Sequence, residues 1–241
     1  MGLDMMPLAR PHIGLESEFE SLWLTYQNLV NGITEPVSTT RQGFLGRLLG
    51  RSRSKKNELE RLTKAIMSIS EGADQNMGAP VVGVDAAANL WIEQSFKNGA
   101  FLGLQSCEAA LEQMDGFHVL ELLPECDGFP VYSNSFLHGS GVPRTSFRGD
   151  FLRDCVDVLT AAQISDAWVP KLSRDLLAYG ESLCDSARNA AVEEGATDVI
   201  DRRAPPDVVA LSRVYQIHIA DSCGRWCKFW AKRGHGLEPD F

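Results

Sequence analysis

Apolar side chains recur at steps of three and four residues through most of this chain, and that spacing predicts an α-rich fold. The longest face of this kind comprises Val208, Leu211, Tyr215, His218, Ser222, Trp226 and Phe229. Residues with this spacing lie on one side of an α-helix, which then packs against a core. Because prolines are tolerated at a helix start, we predict a last helix running from 205 to about 233.

Similar faces predict the other helices of the chain. They cover residues 15–30, 57–69, 85–111 and 148–162, and a stretch from 166 or 170 to 194. Apolar segments at 117–123 and 129–133 flank the turn-forming sequence PECDG, which favours a short β-hairpin. The predicted fold is therefore mainly α: about six helices packed in a single α-rich domain, with a small two-stranded β element at about 117–133. The five tryptophans should be largely buried in it.

The charge distribution predicts how the chain is organised. Its 23 basic and 32 acidic side chains give a net charge of −9, yet residues 37–64 carry eight basic groups against two acidic ones. Within that stretch, glycines, serines, arginines and lysines favour a solvated linker. We predict an N-terminal helical segment at 1–36, a basic flexible linker at 37–56 and a main α-rich domain at 57–241. Segment 1–36 is expected to pack with the main domain.

Composition excludes several classes of protein. No stretch approaches the roughly 20 apolar residues that a membrane span requires, and the N-terminal sequence lacks the pattern of a secretory signal. We therefore expect a cytoplasmic protein whose six cysteines are reduced thiols rather than disulfides. No phosphate-binding loop and no dinucleotide fingerprint is present, so no cofactor is predicted.

Two sets of residues raise the question of metal binding. His218, Cys223 and Cys227 are zinc-ligand types, and the two cysteines are four residues apart on one helix face. The short CxxC spacing of structural zinc sites is missing, so small apolar fillers are the competing interpretation. The second set is acidic and suits Mg²⁺ or acid–base chemistry, or simply a solvated helix face. It comprises Glu121, Glu125, Asp127, Asp150, Asp154 and Asp157. We predict no metal site from either set.

The basic stretch at 41–56 raises the question of nucleic-acid or membrane-surface binding. It combines five basic groups at 47–56 with preceding leucines and a phenylalanine. The rest of the chain is strongly acidic, however, and aromatic residues that stack on bases are not interleaved with the basic ones. We predict a solvated linker and no nucleic-acid partner.

The irregular stretch at 125–148 is the part of the chain that core packing explains least. Loops on a rigid scaffold concentrate recognition residues, so we predict the partner-binding site here. The predicted contact residues are Glu125, Asp127, Phe129, Tyr132, Phe136, His138 and Arg148. Tyr132 and Phe136 would be the aromatic anchors, and the acids would meet basic groups of the partner.

These properties favour a protein-binding protein over an enzyme. An acidic surface suits a protein partner with a basic surface, as in a cytoplasmic inhibitor or immunity-type protein that masks a toxin. The alternative is a metal-dependent or serine hydrolase that uses the 118–157 region, with His138 as the base for a nearby serine. That alternative lacks a G-x-S-x-G motif, and no catalytic residue is predicted.

Overall fold

The structure is a computed structural model that describes residues 3–32, 44–75, 77–101, 103–123, 132 and 145–240, with the backbone alone for 44–54 and 74. The chain forms two compact units. The main unit comprises Met1–Leu8 with Ala73–Phe241, and the two-helix unit comprises Ala9–Gly72. The described residues are mainly helical, which confirms the predicted α-rich class.

The elements follow one another along the chain as short strands and longer helices. The strands are β1 (Asp4–Leu8), β2 (Arg10–Pro11), β3 (Ser70–Glu71), β4 (Phe147–Arg148) and β5 (Gly236–Asp240). The helices are α1 (Glu16–Val30), α2 (Phe44–Ser68), α3 (Ala86–Lys97), α4 (Cys107–Gln113), α5 (Ala161–Asp166), α6 (Ser173–Glu194) and α7 (Arg213–Lys232).

In the two-helix unit, α1 and α2 are accompanied by a minimal antiparallel pair of strands. β2 pairs with β3, and the Arg10 guanidinium bonds the Glu71 carboxylate across this pair. The observed α1 matches the predicted helix at 15–30, whereas α2 begins at Phe44 rather than at residue 57. Residues 44–56 of the predicted linker are therefore helical, and residues 37–43 lie outside the described part.

In the main unit, a three-stranded antiparallel sheet accompanies the paired helices α6 and α7. The strand order is β4-β1-β5, so the sheet joins both ends of the chain to its middle. Trp226 and Trp230 of α7 have no exposed surface. Together with Trp23 they confirm the expected burial, while Trp91 and Trp168 are partly buried. None of the described helices combines the length and apolar character needed to cross a bilayer.

The close approach of α6 and α7 depends on two glycines. A methyl group at Gly180 would lie 2.8 Å from the carbonyl oxygen of Gly224, and one at Gly224 would lie 2.8 Å from the carbonyl oxygen of Gly180. At Gly224 it would also lie 2.6 Å from the Cys184 sulfur. The two backbones are thus in direct contact, and neither position has room for a side chain.

Several predicted elements differ from the observed ones. Residues 148–162 do not form one helix: Gly149–Asp154 is a 3₁₀-helix, and α5 starts only after Thr160. The predicted helix at 85–111 is two helices, because Gly99 and Gly103 between them have positive φ angles of 79° and 92°.

The last helix and the small β element also differ from prediction. α7 begins at Arg213, where the Ser212 hydroxyl caps it, and Leu211 just before it has a φ of 67° that no helix admits. Within 117–123 the structure has an isolated bridge at His118 and a 3₁₀-turn at Leu120–Leu122, so the sheets lie elsewhere in the chain. Residues 124–131 of the predicted hairpin lie outside the described residues.

Candidate functional site

Only two of the predicted contact residues fall within the described part of the chain. Tyr132 is 2% exposed, and its ring packs against Phe147 and Phe151 at centroid distances of 5.5 and 5.2 Å. Arg148 is half-buried in β4, opposite Asp4 of β1. Tyr132 thus belongs to the core and does not present its ring to a partner. The remaining predicted contacts lie outside the described residues: Glu125, Asp127, Phe129, Phe136 and His138.

Tyr132 is held by a hydrogen bond to a buried histidine of α7. Its hydroxyl lies 2.7 Å from Nδ1 of His218, and Nε2 of His218 lies 3.2 Å from the Arg202 carbonyl oxygen. Because a carbonyl oxygen can only accept, Nε2 carries the proton. In the neutral ring Nδ1 then accepts, so the tyrosine hydroxyl donates. Both ring nitrogens are used in this arrangement.

Burial fixes the protonation of this pair. The pKa of His218 is lowered to about 4, mainly by burial and also by the positive charges of Arg225 and Arg202, while the hydrogen bond to the Arg202 carbonyl opposes the shift. Burial also raises the pKa of Tyr132. Both groups are therefore neutral at pH 7, and their contact stabilises the core rather than supplying an acid or a base.

A buried ion pair lies one helical turn beyond His218. Asp221 is fully buried, and its Oδ2 accepts from Nε of Arg225 at 2.9 Å and from the backbone N–H of Asp201 at 3.0 Å. Asp201 has a positive φ of 60°, which this hydrogen bond helps to hold. Nη2 of Arg225 also donates to the Arg202 carbonyl at 2.9 Å. The network thus fixes the turn at Asp201 and Arg202 against α7.

The cysteines of α7 lie within the core. Cys223 and Cys227 are fully buried, and burial together with a hydrogen bond to Cys227 raises the pKa of the Cys223 thiol. Zinc binds the thiolate, so a raised pKa opposes metal binding. Within the described ranges, no group of three or more His, Cys, Asp or Glu side chains is placed to hold a metal ion.

The structure contains an open apolar groove in the stretch that links the 3₁₀-helix to α5. The groove has a volume of about 410 Å³. It is lined by Arg153, Val156, Ala161, Ile164, Ser165 and Trp168, and we call it the 153–168 groove. The Arg153 guanidinium lies 4.8 Å from the centre of the Trp168 ring. An open groove with an aromatic wall is a typical contact surface.

Local hydrogen bonds hold α5 in the place that shapes this groove. Thr160 and Gln163 form a reciprocal capping box at the start of α5. The Gln163 side-chain amide also donates to Ser182 and, at 2.9 Å, to the Ser186 hydroxyl, both on α6. The Gln163 side chain therefore ties α5, which forms part of the groove, to α6.

Three exposed aspartates are sequence neighbours of residues that line the groove. Asp154, Asp157 and Asp166 are exposed, and each is next to a residue that lines the groove. The solvated helix face considered above for the acidic set does not form at Asp150, Asp154 and Asp157, because this segment is a 3₁₀-helix followed by turns. Sequence reasoning did not find the groove, since it assigned Trp168 to a buried helix face.

The acidic character belongs to the main unit. It carries 14 basic and 25 acidic side chains, a net charge of −11, whereas the two-helix unit carries nine basic and seven acidic ones.

Comparisons of the chain with protein-family models, with curated protein sequences and with solved structures found no match.

Proposed function

We propose that this chain is an acidic protein-binding protein whose main unit covers a basic surface of a partner protein. The observation that carries the proposal is the open apolar groove flanked in sequence by exposed Asp154, Asp157 and Asp166. An apolar centre with a charged rim is the usual anatomy of a protein interface. The surplus of acids in the main unit would attract a basic partner and speed the encounter.

An inhibitor or immunity-type protein is the setting that fits these properties. Such a protein masks the active site of a toxin by occupying it, and an active site that binds nucleic acid or another polyanion is basic. The other predicted contacts remain part of this proposal: Glu125, Asp127, Phe129, Phe136, His138 and the half-buried Arg148. Tyr132 does not, because its ring is buried.

The test starts from the purified full chain. It is immobilised and exposed to lysate of its source cells at about 50 mM and about 500 mM salt, and the bound protein is identified, purified and measured by calorimetry. We expect one partner at 1:1 stoichiometry, with an affinity that falls as salt rises. A partner whose affinity is independent of salt, no partner at all, or catalytic turnover by the chain itself would refute the proposal.

A matched pair of variants then tests whether the carboxylates beside the groove contribute to partner binding. Asp154→Asn with Asp166→Asn removes two carboxylates beside the groove. Glu112→Gln with Glu181→Gln removes two exposed carboxylates on α4 and α6. Each exposed ion pair is worth about 0.2–1 kcal/mol, so the loss of two should make the first variant bind the partner about twofold to thirtyfold more weakly. The second should bind nearly as well as the wild type.

A further inference from the structure

We infer that the 153–168 groove receives one apolar side chain from a partner segment in which lysine or arginine flanks that side chain. This inference rests on the proposed function and specifies which part of the partner is recognised. It follows from the shape of the groove, from its walls and from the charges around it.

The apolar part of the occupant follows from the walls. Val156, Ile164 and Trp168 offer aliphatic and aromatic surface, and Val156 is 66% exposed although it borders a concave site. Binding pockets for small molecules range from about 300 to 1,000 Å³, and this groove, at about 410 Å³, is at the small end and open to solvent. It therefore suits an anchor side chain of a larger partner.

The basic part of the occupant follows from the charges. Residues 150–171 contain four aspartates and two cations. Both cations are engaged: Arg153 lies over Trp168 and 3.5 Å from an Asp150 carboxylate oxygen, and the buried Lys171 ammonium donates to the Val169 carbonyl at 3.0 Å. The exposed carboxylates are left to meet positive charges beside the anchor. Phosphate groups would be repelled.

The test uses a defined peptide and the full chain. The peptide acetyl-GKKFKKG-amide is titrated into ¹⁵N-labelled protein, and the indole N–H signal of Trp168 is identified by its loss in Trp168→Phe. We expect this signal to shift in a saturable way. Two control peptides, GKKGKKG without the anchor and GQQFQQG without the charges, should bind at least fivefold more weakly. Equal binding of either control peptide, or no shift at about 5 mM peptide, would overturn the inference.

A surface variant separates the groove from the rest of the main unit. Val156→Asn replaces apolar surface of the groove by an uncharged amide at a position that is already exposed, so folding should be kept. Val192→Asn is the matched control, because Val192 is 70% exposed on α6 and does not line the groove. The first variant should weaken peptide binding at least fivefold, and the second should leave it unchanged. Equal effects of the two variants would count against the groove.

The partner itself distinguishes the inference from the proposed function. If Val156→Asn leaves a salt-sensitive partner bound at full affinity, the groove is not the contact and the inference fails while the proposed function stands. If the chain has no salt-sensitive partner, the proposed function fails whatever the peptides do. If the Trp168 signal shifts with protein concentration alone, a second copy of the chain occupies the groove, and the basic partner segment is the wrong occupant.

Discussion

Acidification should destabilise the main unit through His218, because the fold holds this ring in its neutral form. Burial lowers the pKa of His218 from an ordinary value of 6.5 to about 4. Between these two values the unfolded chain binds a proton that the folded chain does not. The stabilisation is therefore fully present above about pH 6.5 and is lost as the pH falls towards 4.

The magnitude follows from the size of the shift. One pKa unit corresponds to about 1.4 kcal/mol, so a shift from 6.5 to about 4 amounts to roughly 3 kcal/mol in full. Between pH 7.5 and pH 5 the part that is lost is about 2 kcal/mol. That is a large fraction of the stability of an ordinary domain.

The assay is urea unfolding, followed by tryptophan fluorescence at both pH values. His218→Gln removes the titrating group but keeps an amide that can donate to the Arg202 carbonyl. The free energy of unfolding of the wild type should fall by about 2 kcal/mol more than that of the variant. His12→Gln, at an exposed histidine in the two-helix unit, should keep the pH dependence of the wild type.

Two results would refute this reasoning. The first is a pH dependence that is the same in the wild type and in His218→Gln to within about 0.5 kcal/mol. The second is an NMR titration of the folded wild type in which the His218 ring protonates near pH 6.5. The NMR measurement needs no variant, so it decides the matter even if His218→Gln does not fold.

Three further predictions use the same unfolding assay at pH 7.5. Gly224→Ala should destabilise the chain by about 2 kcal/mol, since the clash with backbone atoms of α6 outweighs the helix propensity gained. The control variant Asn189→Ala, on the exposed side of α6, should be neutral or slightly stabilising. The same result for both variants would contradict the close contact between α6 and α7. Tyr132→Phe should cost about 1–3 kcal/mol, because it leaves Nδ1 of buried His218 without a donor, and a change below about 0.5 kcal/mol would mean that the bond is not formed. Leu211→Asn should stabilise by roughly 0.5 kcal/mol, because asparagine tolerates a positive φ better than leucine does, and a loss of stability would show that the Leu211 side chain matters more than its backbone.

The parts of the fold that depend on local patterns could be predicted from the sequence. The apolar spacing placed the start of α1 within one residue of the observed one. It placed the start of α6 three or seven residues too early, for the alternatives 170 and 166, and it placed Trp226 and Trp230 on a buried face. The predicted elements did not include α5, although the TAAQ sequence at its start has the pattern of a capping box. Apolar periodicity and helix caps depend on residues a few positions apart, so they can be recognised in the sequence.

The differences arise where tertiary contacts override local preference. The start of α7 was placed too early because Leu211 has a positive φ, which a leucine seldom adopts by itself. The positive φ at Asp201 is held by the carboxylate of Asp221, 20 residues further along the chain. No window of local sequence contains such a contact.

The candidate site could not be predicted from the sequence either, because it also depends on contacts between distant residues. Tyr132 and His218 are 86 residues apart, and nothing in the loop composition indicates that this tyrosine reaches a buried histidine. The 153–168 groove lies where the expected helix at 148–162 is interrupted: Val156, in the turn after the 3₁₀-helix, lines it together with Trp168. A regular α-helix over residues 148–162 would have placed different side chains next to one another.

The pairing of β1 with β5 has a consequence for the synthesis of this protein on the ribosome. β1 bonds along its whole length to β5, so residues 4–8 cannot complete their sheet until residues 236–240 have been made. Throughout the synthesis of residues 9–235, this apolar segment has no β5 to pair with. We therefore expect residues 3–8 to be a binding site for chaperones during translation.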